Sequence, residues 1–193
     1  MPEPSEEAVE AKEKDRTVAL IVAILALLLA LSEAGAKKAQ HLSTEKNIEA
    51  SDLFNFYQAK KIRQTVVESA AQTLEAQKGA LGGEAAQAAI EKQIADFKAT
   101  SARFETDPKK PEDGLDQIQE RAKAAQEDRE LANHRLEHYE LGSGLAQIAI
   151  VLASAAIITG IAALTWFSAV LGLLGAILLA FGFFAPTVLP FMG

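Results

Sequence analysis

Three long apolar runs on either side of a polar middle dominate the pattern of this chain. The first run, residues 17–32, contains no charged residue and lies between Arg16 and Glu33. The stretch 145–190 has enough apolar residues for two further spans, and Trp166 within it suits an interfacial turn. The pattern therefore predicts three transmembrane helices, at about 17–37, 145–164 and 167–185.

A cleaved signal peptide is the alternative interpretation of the first run, because "AGA" at 34–36 resembles a cleavage site. Six acidic residues precede the run and outnumber three basic ones, whereas a signal peptide begins with a positively charged segment. We therefore predict that the run is retained as a membrane anchor.

Small residues recur along each predicted span at steps of about one helical turn. Lipid tails give helices no hydrophobic reason to associate, so close backbone approach along such seams can hold a bundle together. The seams predict a tightly packed bundle. The predicted seam residues are Ala19, Ala23, Ala26 and Ala30 in the first span, Ala149, Ala153, Ala156, Gly160 and Ala163 in the second, and Ser168, Gly172, Gly175 and Gly182 in the third.

The polar middle carries helical periods throughout and no strand alternation. Ser51 is either the N-cap of a helix or an interior position of a helix that continues from the first span. The glycines of "KGALGG" and the turn "TDPKKPEDG" predict breaks, with helices from Glu84 to about Phe104 and from about Leu115 onwards. Narrow, alanine-rich seams favour coiled-coil packing of this stalk. The predicted packing residues are Leu53, Phe56, Tyr57, Val67, Leu74, Ile90, Ile94, Phe97, Leu115, Ile118 and Leu136.

These patterns predict an all-α integral membrane protein with an extramembrane domain that is a helical hairpin resembling a coiled coil. Its domains are a disordered acidic tail at 1–16, a first span at 17–37, a soluble helical domain at 38–141 and a membrane hairpin at 142–193 that ends in a short proline-containing tail. The "GSG" at 142–144 is interpreted as a flexible joint.

Charge limits the possible functions and suggests an orientation. The net charge of −7 argues against nucleic-acid binding, which needs a basic surface. From Gly142 onwards there is no ionisable side chain, and the spans hold no group suited to a proton relay. Basic residues near the membrane ends favour a cytoplasmic helical domain. They are Lys37, Lys38, Lys46, Arg129 and Arg135 on the side of that domain, against Lys12, Lys14 and Arg16 on the other.

The stretch "SDLFNFYQAKKIRQ" at 51–64 combines aromatic and basic residues and allows two interpretations. In the first, the aromatic side chains pack the stalk and the cations form a solvated flank. In the second, Lys60, Lys61 and Arg63 contact anionic lipid or a partner. We favour packing.

Catalytic and metal-binding patterns are weak in this sequence. His134 and His138 are four residues apart and share a helix face, but the glutamate that follows the first histidine of a zinc-protease motif is absent. There is no cysteine, no serine nucleophile elbow and no phosphate-binding loop. The sequence therefore predicts no catalytic residue, no metal and no cofactor.

The run "EASDLFNFYQAKKIRQTVVESAAQTLE", preceded by an anchor and followed by a helical middle and a membrane hairpin, resembles an uncharacterised bacterial membrane-protein family, domain of unknown function 4337. The resemblance covers nearly the whole chain. It implies a protein of the bacterial inner membrane and no particular activity.

Two functions fit these features. We expect a non-enzymatic scaffold that associates with itself in the lipid bilayer and whose stalk mediates assembly or the binding of an unidentified protein partner. The alternative is a homo-oligomeric channel lined by a small-residue helix. The polar groups available to such a lining are Ser154, Thr159, Thr165 and Ser168.

Overall fold

A computed structural model describes residues 6–80, 83–106 and 108–188, and every element in these ranges is helical. The four α-helices are α1 (Glu6–Gln77), α2 (Glu84–Glu105), α3 (Leu115–Thr159) and α4 (Ala162–Phe184), with short 3-10 helices at Lys78–Ala80 and Pro111–Asp113. The prediction of an all-α fold is therefore confirmed for the described residues. Three of the helices, α1, α3 and α4, are long and apolar enough to cross a membrane.

The helix α1 is longer than the sequence pattern predicts. It begins at Glu6, so the segment expected to be a disordered tail is helical from that residue on, and residues 1–5 lie outside the described ranges. Alanine, glutamate and lysine are strong helix formers, and adding them to an existing helix avoids the cost of nucleation. Ser51 is interior to α1, as in the second of the two interpretations given above.

The helix α3 also runs through a predicted break. Gly142, Ser143 and Gly144 are helical, so they are not a joint. The turn between the last two spans lies at Gly160, whose φ of +69° is a left-handed conformation that glycine adopts without strain. Trp166, expected in this turn, lies within α4 and is exposed.

The chain divides into two compact units, and α1 and α3 each contribute to both. One unit comprises Met1–Thr44 and Arg129–Gly193 and is called the membrane unit here; the other, Glu45–Asp128, is called the polar unit. Each unit has its own packing, described separately below.

In the membrane unit, glycine allows the helices to approach closely. An ideal Cβ on Gly142 would lie 3.2 Å from the carbonyl oxygen of Gly175, and one on Gly175 would lie 3.1 Å from that of Gly142. The backbones of α3 and α4 therefore touch at this crossing. Leu25 of α1 fills the space beside Gly172, and the ring of Tyr139 lies against Gly182.

The polar unit has a small core made by α1 and α3. Leu53, Ile118 and Ala122 are buried together, and the half-buried rings of Phe54 and Tyr57 pack against them. Ile94 and Ser101 are the buried residues of α2. A core this small makes each of its large side chains important for stability.

Candidate functional site

The structure places the three predicted small-residue seams differently. In α4, Ser168, Gly172, Gly175 and Gly182 are buried, and in α3 Ala149, Ala153 and Ala156 are buried. Gly160 and Ala163 are exposed at the turn. In α1, Ala19, Ala23, Ala26 and Ala30 are all exposed.

The alanine seam of α1 is therefore not buried against the other described helices. The face of α1 that packs contains Val18, Leu25 and Ser32, which are buried. The physical reason lies in α4, because its glycines leave space that large side chains of α1 can fill, as Leu25 does beside Gly172. Small residues of α4 therefore pack against large residues of α1.

Most predicted stalk residues lie in the interior of the polar unit. Leu53, Ile94, Leu115 and Ile118 are buried, and Tyr57, Val67, Leu74, Ile90 and Phe97 are half-buried. Leu136 is half-buried but belongs to the membrane unit. Phe56 is the exception, since 45% of its surface is exposed and Phe54 packs in its place.

Two of the three cations of the predicted lipid or partner patch make hydrogen bonds within the polar unit. The Lys60 ammonium donates to the carbonyl oxygen of Asp113, and Lys61 Nζ donates to Gln64 Oε1 at 2.8 Å. Arg63 is exposed. Two of these cations are thus engaged by other groups of the polar unit, which weakens the interpretation as a lipid patch.

Gln64 is a buried polar residue that sequence reasoning missed. Its amide nitrogen donates to Glu105 Oε1 at 3.1 Å, so it joins α1 to α2, and Ser101 Oγ donates to Glu68 Oε1 at 2.7 Å nearby. Buried polar groups need such partners. The only available sequence signal was a glutamine at a position where the helical period demands an apolar residue.

Ion pairs also join the helices of the polar unit. Lys46 bonds Glu49 at 2.9 Å and lies 3.4 Å from Asp128, and Lys98 bonds Glu75 at 2.6 Å. The hydrogen bond to Glu49, followed by the two nearby negative charges, raises the pKa of Lys46 above 10.5. Lys46 therefore stays protonated throughout the physiological range.

The two histidines have different surroundings in the membrane unit. His138 is buried and its Nε2 lies 3.1 Å from the carbonyl oxygen of Pro186, so an Nε2–H would donate to the end of the last span. His134 is half-buried, with Nδ1 3.9 Å from Glu137 Oε2. No group of three or more potential ligands is present among the described residues.

The hydroxyl groups of the last two spans have different partners. Ser168 Oγ is buried and donates to the carbonyl oxygen of Ala149 at 2.8 Å, which joins α4 to α3. Ser154 and Thr159 are exposed and donate to carbonyls one turn back in their own helix, at Ile150 and Ala155.

Replacing Ser168 by alanine should therefore lower the free energy of unfolding by about 1 kcal/mol, the typical value for an interhelical hydrogen bond in a membrane. Ser154→Ala is the matched control and should change stability by less than about 0.5 kcal/mol. Thermal unfolding in mild detergent would measure both. Equal effects of the two changes would contradict the role given to Ser168.

An exposed apolar stripe runs along α1 in the polar unit. Ile48, Ile62 and Val66 are 57%, 64% and 62% exposed, and an α-helix turns about 100° per residue, so these positions lie within about 40° of one another. Asn55 and Ala59, also exposed, lie between them on the same face. These five residues are called the α1 stripe below, and Asp52 and Phe56 lie at its edges.

A groove lies among α1, α3 and α4 in the membrane unit, with a volume of about 670 Å³. Leu31, Leu179 and Phe183 contribute its apolar walls. Lys38 and Arg135 are its two charged lining residues. In the sequence, the two cations served only as indicators of membrane orientation. They line one groove because of how the three helices pack.

Comparison with known proteins identifies a family but no characterised relative. A family model described as "Domain of unknown function (DUF4337)" matches residues 14–185. The searches of curated proteins and of solved structures gave no match.

Proposed function

Since this chain belongs to the family described as Domain of unknown function (DUF4337), which names no activity, we propose its function from its own surfaces. The protein is a non-enzymatic membrane scaffold that associates with further copies of itself, and the α1 stripe is the contact. The observation that carries this proposal is the exposure of Ile48, Ile62 and Val66 on one face of a helix.

The physical argument starts from the solvent around the stripe. It lies outside the apolar run of α1, so we expect water rather than lipid to surround it. Burying an isoleucine or valine side chain is worth about 1.5–3 kcal/mol, and several large apolar residues exposed on one helix face can mark an interaction site. A second copy would remove the stripe from water.

The spacing of the stripe favours pairing between α1 helices. Ile48, Asn55 and Ile62 are seven residues apart, which is the repeat of a coiled coil. A single asparagine at such a position fixes register, because its amide is satisfied only opposite a matching group. Copies anchored in one membrane in the same orientation have α1 helices that run in the same direction, so identical residues would face each other.

The outward alanines of the first span support association in the bilayer as well. Ala19, Ala23, Ala26 and Ala30 are exposed, and a small-residue face lets a neighbouring helix approach closely. We further propose that the assembly lies in a bacterial inner membrane, as the family resemblance implies, and that the polar unit is cytoplasmic, as the basic residues near the membrane ends favour. A further protein partner remains part of the proposal.

Disulfide cross-linking tests the α1 stripe directly, because the chain contains no cysteine of its own. A single Ile62→Cys variant in membranes should form a covalent dimer under mild oxidation. Lys92→Cys is the control: Lys92 is exposed on α2 and lies about 200° around that helix from the buried Ile94. Lys92→Cys should stay monomeric, and a membrane-impermeant thiol reagent should not label it in intact cells.

Introducing charge should break the same contact. An Ile62→Asp, Val66→Asp variant should weaken self-association about a hundredfold or more, since each change removes more than about 1.4 kcal/mol of apolar burial. Mass measurement in mild detergent would follow it. A monomeric wild-type protein, or equal cross-linking of both cysteine variants, would refute the scaffold, and ion conductance across planar bilayers would favour the channel.

A further inference from the structure

We propose that the groove of the membrane unit binds one anionic phospholipid, with its phosphate held between Lys38 and Arg135 and an acyl chain lying along the apolar walls. The groove belongs entirely to the membrane unit, and its residues are separate from the α1 stripe. The inference therefore stands whether or not the protein associates with itself.

The shape and lining of the groove suit an amphiphile. Its volume of about 670 Å³ lies within the range of about 300–1,000 Å³ typical of sites for small molecules. Its walls come from Leu31 of α1 and from Leu179, Phe183 and Phe184 of α4, all of which are apolar. Such walls give a hydrocarbon chain a favourable contact and give an inorganic anion none.

The charge of the groove selects an anion. Lys38 and Arg135 are the charged side chains of the lining, and neither lies within 4 Å of a carboxylate in the part of the chain that the structure describes. Arg135 Nε is enclosed and has no hydrogen-bond acceptor among the described residues. The terminal nitrogens of a guanidinium can hold two phosphate oxygens at once, and an ammonium adds a second positive charge.

The position of the two cations matches the position of lipid headgroups. Lys38 follows the apolar run of α1 by six residues, Arg135 precedes the uncharged part of α3, and α4 ends at Phe184 beside them. Cations at the end of apolar spans lie at the headgroup level, and the apolar walls of the groove face the acyl chains. One phospholipid molecule can place its phosphate at the two cations and its acyl chain along the apolar walls.

Lipid titration of the detergent-solubilised protein tests the inference, with bound lipids counted by native mass spectrometry. Phosphatidylglycerol should bind in preference to phosphatidylcholine. Lys38→Gln should weaken phosphatidylglycerol binding about fivefold, and Lys38→Gln with Arg135→Gln about 25-fold, since a cation near a lipid headgroup contributes about 1 kcal/mol. Binding of phosphatidylcholine should change little in either variant.

Matched controls separate this site from general charge attraction. Lys37→Gln removes an exposed neighbouring cation that does not line the groove, so it should keep the wild-type preference. Ala34→Phe fills the groove from α1 and should reduce binding of both lipids. Because Lys38 is exposed, its change tests the site even if Arg135→Gln fails to fold.

Several results would overturn the proposal. They are equal binding of the two lipids to wild type, equal losses in Lys37→Gln and Lys38→Gln, and thermal protection by inorganic phosphate alone as large as that by phosphatidylglycerol. A change of oligomeric mass in Lys38→Gln with lipid binding intact would identify the groove as an interface between copies instead.

Discussion

Replacing Gly142 by leucine should destabilise the membrane unit by about 3 kcal/mol and lower its melting temperature in detergent by about 6–12 °C. The backbones of α3 and α4 meet at this residue, where an ideal Cβ would already lie 3.2 Å from the carbonyl oxygen of Gly175. A leucine must push the two helices apart. No water is expelled when helices pack in lipid, so nothing compensates for the lost contact.

Gly144 provides the matched control for this change. It lies two residues further along α3 and is also helical, but no atom lies within 4 Å of an ideal Cβ at this position. Gly144→Leu should be neutral or stabilise by up to about 1 kcal/mol, because leucine has the higher helix propensity. Similar losses in both variants would show that α3 and α4 do not touch at Gly142.

The sequence predicted the helices well because their patterns are local. The turn glycines around residue 80, the "TDPKKPEDG" segment and the charge-free runs mark helix ends and membrane spans without reference to the rest of the chain. The continuity of α1 and α3 was harder to predict. Gly142 and Ser51 are signals for a break or a cap when considered alone, and tertiary packing overrides them.

Which residues pack against each other depends on how the helices approach in three dimensions, so these contacts were predicted less well. The alanines of α1 have the same spacing as the glycines of α4, yet the alanines face outward while Leu25 fills the space beside Gly172. Likewise, Gln64 is buried in α1 and donates a hydrogen bond to Glu105 of α2, a contact that the pattern of α1 alone does not mark. The groove arises from residues of three helices, so no single helical pattern marks it.

In the polar unit, two neighbouring aromatic residues of α1 show the same dependence on three-dimensional packing. The pattern assigned both Phe56 and Tyr57 to the packed face, although adjacent residues are about 100° apart on a helix. The structure resolves the choice, because Tyr57 with Phe54 packs against Leu53 and Ile118, whereas Phe56 is 45% exposed. We therefore expect a large loss of stability from truncating a core residue and not from truncating Phe56.

Ile118→Ala should lower the free energy of unfolding of the polar unit by about 3 kcal/mol, whereas Phe56→Ala should lower it by less than about 1 kcal/mol. Ile118 is fully buried between Leu53 and Ala122, so its loss leaves a cavity in a small core, while truncating Phe56 leaves none. Thermal unfolding of the full chain, followed by circular dichroism, would compare them. If Phe56→Ala cost as much as Ile118→Ala, Phe56 would be buried in the folded protein, either inside the polar unit or against a second copy. Repeating the measurement on an Ile62→Asp background distinguishes these cases, because only a contact between copies would lose its effect there.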